Sequence, residues 1–261
     1  MSVINAQNWP RDKRYRRLVI PRNPGEVLVE ADLSQAESMI VAWKAKERTL
    51  MNKYRNKDDV HSFVASIVMS KEINKEQNKE ERTIAKRIVH GSNYGMQPQK
   101  IVEVLIKEMC LAYPLDRAKK AQIAYFQNFP RIRTGYHASI ENELRTKNRI
   151  VKTPVGLERK FYTPLGPELF RKAYAYYPQT IVAYITNNGI NTIARTDFRD
   201  SLVMQVHDSI ILSVPKEKSE EAAKLLQLVL TYPLFIEGEE LIIPVDVSIG
   251  ENWGAMKEVT I

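Results

Sequence analysis

The chain has 261 residues, 44% of them hydrophobic, enough apolar side chain for a large core and too much for a disordered tail. Its single cysteine, Cys110, excludes an internal disulfide, and no run of 18 apolar residues offers a membrane span. A formal net charge of +8 favours a polyanionic partner, and residues 1–22 lack the apolar core of a signal peptide, so the expectation is a soluble cytoplasmic protein with no membrane partner.

In chain order, Arg11, Lys13, Arg14, Arg16, Arg17 and Arg22, with Trp9 and Tyr15 among them, read either as a solvated basic arm or as a segment that tracks a nucleic-acid backbone. Residues 27–32 read as a strand ending at Asp32. Ser34 and Glu37 fit a capping box for a helix with Ala36, Met39, Ile40 and Trp43 on one face. A second helix covers 59–70. The charged stretch 71–81 is a solvated connection, within which Asn78 caps a helix with Glu80 and Glu81 in its first turn that runs to Gly91 or beyond. Residues 97–147 are mostly helical, with breaks near Pro114 and Pro130. Residues 149–153 and 158–163 form a hairpin, 167–199 a helix with Pro178 as a kink, 202–214 a second hairpin and 218–230 an amphipathic helix. Val245, Val247 and Ile249 alternate as a last strand. Few strands separated by long helical excursions predict an α+β fold: a small antiparallel sheet backed by helices, with a helical insertion between Asp32 and the second hairpin.

The chemistry concentrates at three places. Asp32 ends one strand, and His207-Asp208 sits between two apolar runs where a hairpin turn would ordinarily use Gly or Asn. On neighbouring strands the two carboxylates converge and repel unless a cation lies between them. Mg²⁺, which shares one or two carboxylates with phosphates, is the natural cation. Between the two aspartates in sequence, Arg82, Lys86, His90 and Tyr94 recur at four-residue spacing along one helix face, while Ile84 and Ile88 fall elsewhere. Arg as a fork and Lys as a point charge suit a triphosphate. Taken singly, each feature has a plainer reading: an Asx turn, a local cap, a solvated basic face.

Together they carry a resemblance. Ala31-Asp32-Leu33-Ser34-Gln35-Ala36-Glu37, the Arg82/Lys86/His90-Gly91/Tyr94-Gly95 series and Gln205-Val206-His207-Asp208 resemble motifs A, B and C of the A-family, DNA polymerase I-like DNA polymerases, in that order. Asp59-Val60-His61 resembles the family's Asp-Ile-His element. Arg171 and Pro178-Gln179 match a helix between motifs B and C, and Gly250-Glu251-Asn252-Trp253 resembles the C-terminal end. The resemblance spans residues 5–255. It implies a polymerase palm with an inserted helical fingers subdomain: palm over 1–58, mainly fingers over 59–148, palm again over 149–261. The implied reaction adds dNTPs to a primer 3′-hydroxyl by two-metal nucleotidyl transfer, releasing pyrophosphate. By the same resemblance Asp32 and Asp208 bind two Mg²⁺ ions, or Mn²⁺, with help from the Leu33 carbonyl. Arg82, Lys86 and His61 contact the triphosphate, and Lys86 donates a proton to the leaving pyrophosphate. Gln35, Glu37, His90 and Tyr94 belong to the nucleotide site, Glu37 and Tyr94 below the sugar. Arg171, Gln179 and His207 touch primer–template DNA.

The sequence departs from the family pattern in places. Position 90 is usually Phe or Tyr and is His here; the motif C aspartate is usually followed by Glu and here by Ser209. The family's Thr-Gly-Arg element, its thumb and its exonuclease domain have no counterpart in the sequence. A second chain supplying thumb or exonuclease, or an excised piece of a longer protein, is therefore expected. The unusual motif B suits a bacteriophage-type member working in a host cytoplasm. Two alternatives follow: a DNA-binding subunit with little activity of its own, and a polymerase of relaxed sugar choice or an RNA polymerase.

Overall fold

The structure, a computed structural model, describes residue 9 and residues 12–74 and 76–261. The chain divides into two compact units: Met1–Ala36, Thr180–Leu234 and Glu240–Ile261 form the first, and Glu37–Gln179 with Phe235–Glu239 the second. The α+β expectation holds, and no helix of the described residues is long and apolar enough to cross a membrane.

The first unit is built on a five-stranded antiparallel sheet in the order Leu202–Val206, Ser209–Pro215, Glu26–Leu33, Val245–Gly250, Lys257–Val259. Along the central strand Val29, Ala31 and Leu33 are buried, while Glu30 and Asp32 between them stay partly open. That period of two assigns the carboxylates to one face. The helix Ser219–Leu230 packs on the central strand with Ala222, Ala223, Leu226 and Leu230 buried. Gly189 lets another helix come close, since a Cβ there would meet Ile210 and Leu230 at 3.2 and 3.3 Å. Leu28, Val206, Ile211 and Trp253 form an apolar cluster joined by Trp9, Val19 and Met256.

The basic arm is partly absorbed into this unit. Arg16 lies over the Trp253 ring, 4.2 Å from its centroid, Arg22 donates to the carbonyls of Asp200 and Leu202, and Arg14 pairs with Asp12. These three arginines have structural partners; Arg11 lies outside the described residues. The strands Pro233–Ile236, Glu239–Ile242 and Lys257–Val259 were not expected from the sequence.

The second unit is mostly helical: Ala36–Ala45 (from Glu37 onward), Arg48–Arg55, Val60–Met69, Lys79–Asn93, Pro98–Met109, Leu115–Asn128, a π-helical turn Ile132–His137, Ala138–Thr146, and the first half of Pro167–Ile193, with a hairpin Ile150–Lys152/Glu158–Lys160. Asp59 caps Val60–Met69, its carboxylate accepting from the Ser62 N–H. Ser70 and Cys110 close their helices in the left-handed conformation, and Pro98 opens one at its first position. Gly135 is required by close approach: a Cβ there would lie 2.4 Å from the Ala45 carbonyl oxygen.

The expected capping box at Ser34 does not form. Gln35 has φ +56°, so right-handed helix cannot start at Ser34 as a capping box requires. The helix begins at Ala36, and Glu37 instead receives the Tyr94 hydroxyl. Pro178, read from the sequence as a kink or joint, lies inside the 27-residue helix Pro167–Ile193, next to the Gln179/Thr180 boundary between the two units. Proline has no N–H to offer the carbonyl four residues back, which is that of Tyr174. The buried Tyr136 hydroxyl donates to that carbonyl instead. Tyr136→Phe should therefore destabilise the protein by about 1–3 kcal/mol, the cost of an unsatisfied buried acceptor. Adding Pro178→Ala restores a helical donor, so thermal or urea unfolding of the double variant should show most of that loss recovered.

Candidate active site

The acidic groups lie in the sheet unit. Strand register places Asp32 opposite Ser209 on one side and opposite Asp246 on the other. Asp208 fills the second position of the two-residue turn before Ser209, and its backbone carbonyl accepts from the Leu33 N–H at 3.1 Å. The turn is built without Gly: His207, exposed, takes φ +51° itself. Ser209 Oγ donates to the Val206 carbonyl at 3.1 Å and Gln205 Nε2 to the His207 carbonyl at 2.6 Å. Ser209, which stands where the family usually has Glu, is thus a buried turn lock.

Asp32 and Asp208 share a hydrogen bond, which two carboxylates can do only if one holds a proton. Burial, then the Asp208 charge, then Glu30 and Asp246, push the Asp32 carboxyl up to about 8. Trp253 Nε1–H donates to Glu30 Oε1 at 3.1 Å. Sequence reasoning missed Glu30 and Asp246. Glu30 is two residues before Asp32, and Asp246 is the polar member of an alternating strand. That period-two signal was in the sequence, but the pairing that sets Asp246 across from Asp32 was not. Among the described residues no group of three or more His, Cys, Asp or Glu is arranged to hold a metal by itself. A cation at Asp32 and Asp208 would complete its shell with backbone, water or substrate oxygens, which is how Mg²⁺ is ordinarily bound beside phosphates. The donor set therefore fits Mg²⁺.

The basic part lies in the helical unit, on Lys79–Asn93. Ile84, Ala85 and Ile88 are buried, which turns Arg82, Lys86 and His90 outward. Arg82 Nη2 donates to Asp59 Oδ1 at 2.8 Å and Nε to Ser62 Oγ at 3.1 Å. Burial alone would raise the Asp59 carboxyl, but hydrogen bonds from Ser62 and Arg82 outweigh it and hold the group at about 2. His61 and Lys86 line a cavity of about 20 Å³, room for one water. His61 Nε2 is buried without a hydrogen-bond partner, and burial, aided by the charges of Lys86 and Arg82, lowers its imidazole to about 4. His90 packs edge-on against Tyr94 at 4.6 Å with Nδ1 3.7 Å from Glu37 Oε2, and burial keeps it below the usual histidine value. Tyr94 donates to the same Glu37 oxygen, and burial followed by that carboxylate raises its hydroxyl well above the usual range.

The end of this helix is fixed by buried polar contacts. His137 Nε2 lies 2.8 Å from the Asn93 carbonyl, Tyr125 donates to Asn93 Oδ1 at 2.7 Å, and Gln122 donates to Ser92 and to the Met96 carbonyl. Gly95, at φ +68°, could carry no side chain without meeting Tyr174 at 2.9 Å, and Arg171 Cγ lies beside the same position. The structure thus gathers Asp32, Leu33, His207 and Asp208 in one unit, and Glu37, His61, Arg82, Lys86, His90 and Tyr94 in the other. Gln35 lies in the turn after Leu33, its Oε1 buried and unpartnered. Gln179 is exposed, eight residues beyond Arg171 on one helix.

Comparison with known proteins places these residues in context. The profile of DNA polymerase family A matches residues 1–255. The chain is 28% identical to the thermostable DNA polymerase I of Thermus aquaticus over 273 aligned positions, 98% of this chain and 31% of that protein. It is also 28% identical to DNA polymerase I of Aquifex aeolicus (strain VF5) over 253 positions, 95% of this chain and 42% of that protein. The chain thus spans less than half the length of these curated relatives. Its fold resembles the POL domain of Pol1 from M. smegmatis, solved in complex with DNA primer-template and dNTP. The TM-score is 0.77 at 24% identity, covering 97% of this chain and 45% of that one. With the acidic and basic groups in the order of motifs A, B and C and the family profile matched over nearly the whole length, this chain belongs to DNA polymerase family A.

Proposed function

We propose that the chain is the core of a DNA-templated DNA polymerase, joining the α-phosphate of a dNTP to a primer 3′-hydroxyl and releasing pyrophosphate. The observation that carries this reading is the Asp32–Asp208 pair, two carboxylates in hydrogen-bonding contact on adjacent strand ends of a family A chain. A-family polymerases are generally metal-dependent; two Mg²⁺ ions, replaceable by Mn²⁺, are the specific form proposed here. When bound, such ions favour the attacking alkoxide and offset the charge on the departing phosphates. Asp32 and Asp208 would hold them as carboxylates, and the Leu33 carbonyl would add a neutral oxygen. Arg82 as a fork, Lys86 as a point charge and His61 bind the triphosphate, and Lys86 gives a proton to the leaving pyrophosphate. Glu37, bonded to Tyr94, lies below the sugar, with Gln35 and His90 completing the nucleotide site. Arg171, Gln179 and His207 contact primer–template, and the net charge of +8 favours that polyanion. Residues 1–58 and 149–261 act as palm and residues 59–148 mainly as fingers. The DNA partner and the single free cysteine suit the cytoplasm.

His90 and Ser209 favour one second reading, a polymerase of relaxed sugar choice. Comparing dNTP with rNTP incorporation separates the two: a DNA polymerase shows strong dNTP preference, and Glu37→Ala should narrow it roughly 10- to 100-fold. Equal use of both sugars by the unaltered chain would favour the second reading.

Asp208→Asn should lower Mg²⁺-dependent primer extension by about a thousandfold or more with the circular dichroism spectrum unchanged. Full activity in that variant would overturn the mechanism, and no extension by the unaltered chain would favour a DNA-binding subunit.

The raised Asp32 value gives a pH test. Its folded value, about 8, exceeds the ordinary carboxylate value of about 4. In metal-free protein the stability from protonated Asp32 is therefore fully present below about pH 4 and lost as pH rises towards 8. Melting curves in EDTA should show that decline, and Asp32→Asn should flatten it. Because Mg²⁺ displaces the proton, its apparent affinity should rise by up to about tenfold per pH unit over the same window.

A further inference from the structure

We propose that Asp59 is a positioning residue for triphosphate recognition: an acid that strengthens anion binding by holding Arg82 and fixing the helix that carries His61. This rests on the polymerase reading above. An acid beside a triphosphate site would by simple charge count weaken binding. The hydrogen bonds argue the reverse.

One carboxylate serves two elements. Its Oδ1 accepts from the Ser62 backbone N–H at 3.2 Å and from Arg82 Nη2 at 2.8 Å, and its Oδ2 accepts from the Ser62 hydroxyl at 2.6 Å. Ser62 Oγ in turn accepts from Arg82 Nε at 3.1 Å. Asp59 thereby caps Val60–Met69, in which His61 is the second residue, and anchors a side chain of Lys79–Asn93, 23 positions along the chain. The two bonds from Arg82 occupy its Nε–Nη2 edge, two of the five guanidinium donors, so three N–H groups remain for phosphate oxygens. A guanidinium already held in one orientation loses less freedom when it binds. Asp59 stays ionised far below neutral pH, so the anchor persists wherever the enzyme would work. The bonds exist without nucleotide and need not break when it binds. Their contribution then falls equally on ground and transition states and appears in KM, with kcat little changed.

Asp59→Ala should raise KM for dATP opposite template dT about tenfold, with kcat within about twofold. The same shift should appear in the Kd of dATP on a dideoxy-terminated primer–template, a readout free of chemistry. Asp59→Asn keeps a good N-cap while losing the charge on Arg82. It should keep the melting temperature near that of the unaltered chain and still weaken dATP binding. Combined with Arg82→Ala, Asp59→Ala should add little to the loss caused by Arg82→Ala alone. Unchanged or tighter dATP binding in Asp59→Asn, or additive losses in the double variant, would overturn the proposal. If the unaltered chain does not extend primers at all but still binds dATP in this Asp59-dependent way, the polymerase reading fails and the positioning role stands.

Discussion

Strand pairing forces two negative groups together, and much else in the sheet unit follows from that. Asp32 ends the central strand, Asp208 stands in the turn that feeds its neighbour, and the Leu33 N–H to Asp208 carbonyl bond fixes the offset between them. The ladder holds both backbones in place. Repulsion is relieved by a proton or a cation, and Glu30 on the same strand as Asp32 and Asp246 on the neighbouring one add to the demand. Evolution would ordinarily avoid four carboxylates on one end of a small sheet. Here the apolar cluster of Leu28, Val206, Ile211 and Trp253 packs beside them, and Trp253 satisfies Glu30 directly.

The helical unit treats its polar groups differently. Almost every polar atom that matters is tied to a second element: Arg82 to Asp59, Glu37 to Tyr94, Asn93 to both Tyr125 and His137. Such a network is worth having only when satisfied, because an unpaired polar group in a low-dielectric interior is costly. Its result is a recognition helix with a fixed rotation and a fixed end. One exception among the described residues is His61 Nε2, buried without a partner beside a one-water cavity, where a hydrogen-bond partner would be welcome.

Much of this was legible in the sequence because it depends on local pattern. The 27–32 strand, the 59–70 helix, the helix breaks near Pro114 and Pro130 and the hairpin broken at His207-Asp208 are all written in the spacing of apolar runs and prolines. The capping box at Ser34 failed because the chain turns left-handed at Gln35, where the Ser34 N–H is held by the Pro244 carbonyl, a tertiary contact that no local signal shows. The Tyr136 hydroxyl, which takes the place of the donor that Pro178 lacks, is 42 residues away in sequence and nothing local announces it. Asp246 looked like the polar half of an alternating strand until the register set it across from Asp32.

The sheet's topology bears on when such a protein can become active during synthesis. The central strand Glu26–Leu33 is made early, yet its two partners, Ser209–Pro215 and Val245–Gly250, emerge some 180 and 220 residues later. The helical unit is almost contiguous, Glu37–Gln179, and needs only the short return at Phe235–Glu239 to close it. Local contacts form fast and long-range strand pairing slowly, so the helices fold on the ribosome while the central strand waits unpaired. The carboxylate pair is therefore among the last features to assemble, and until then the run Val27-Leu28-Val29 of the waiting strand is an unpaired apolar segment.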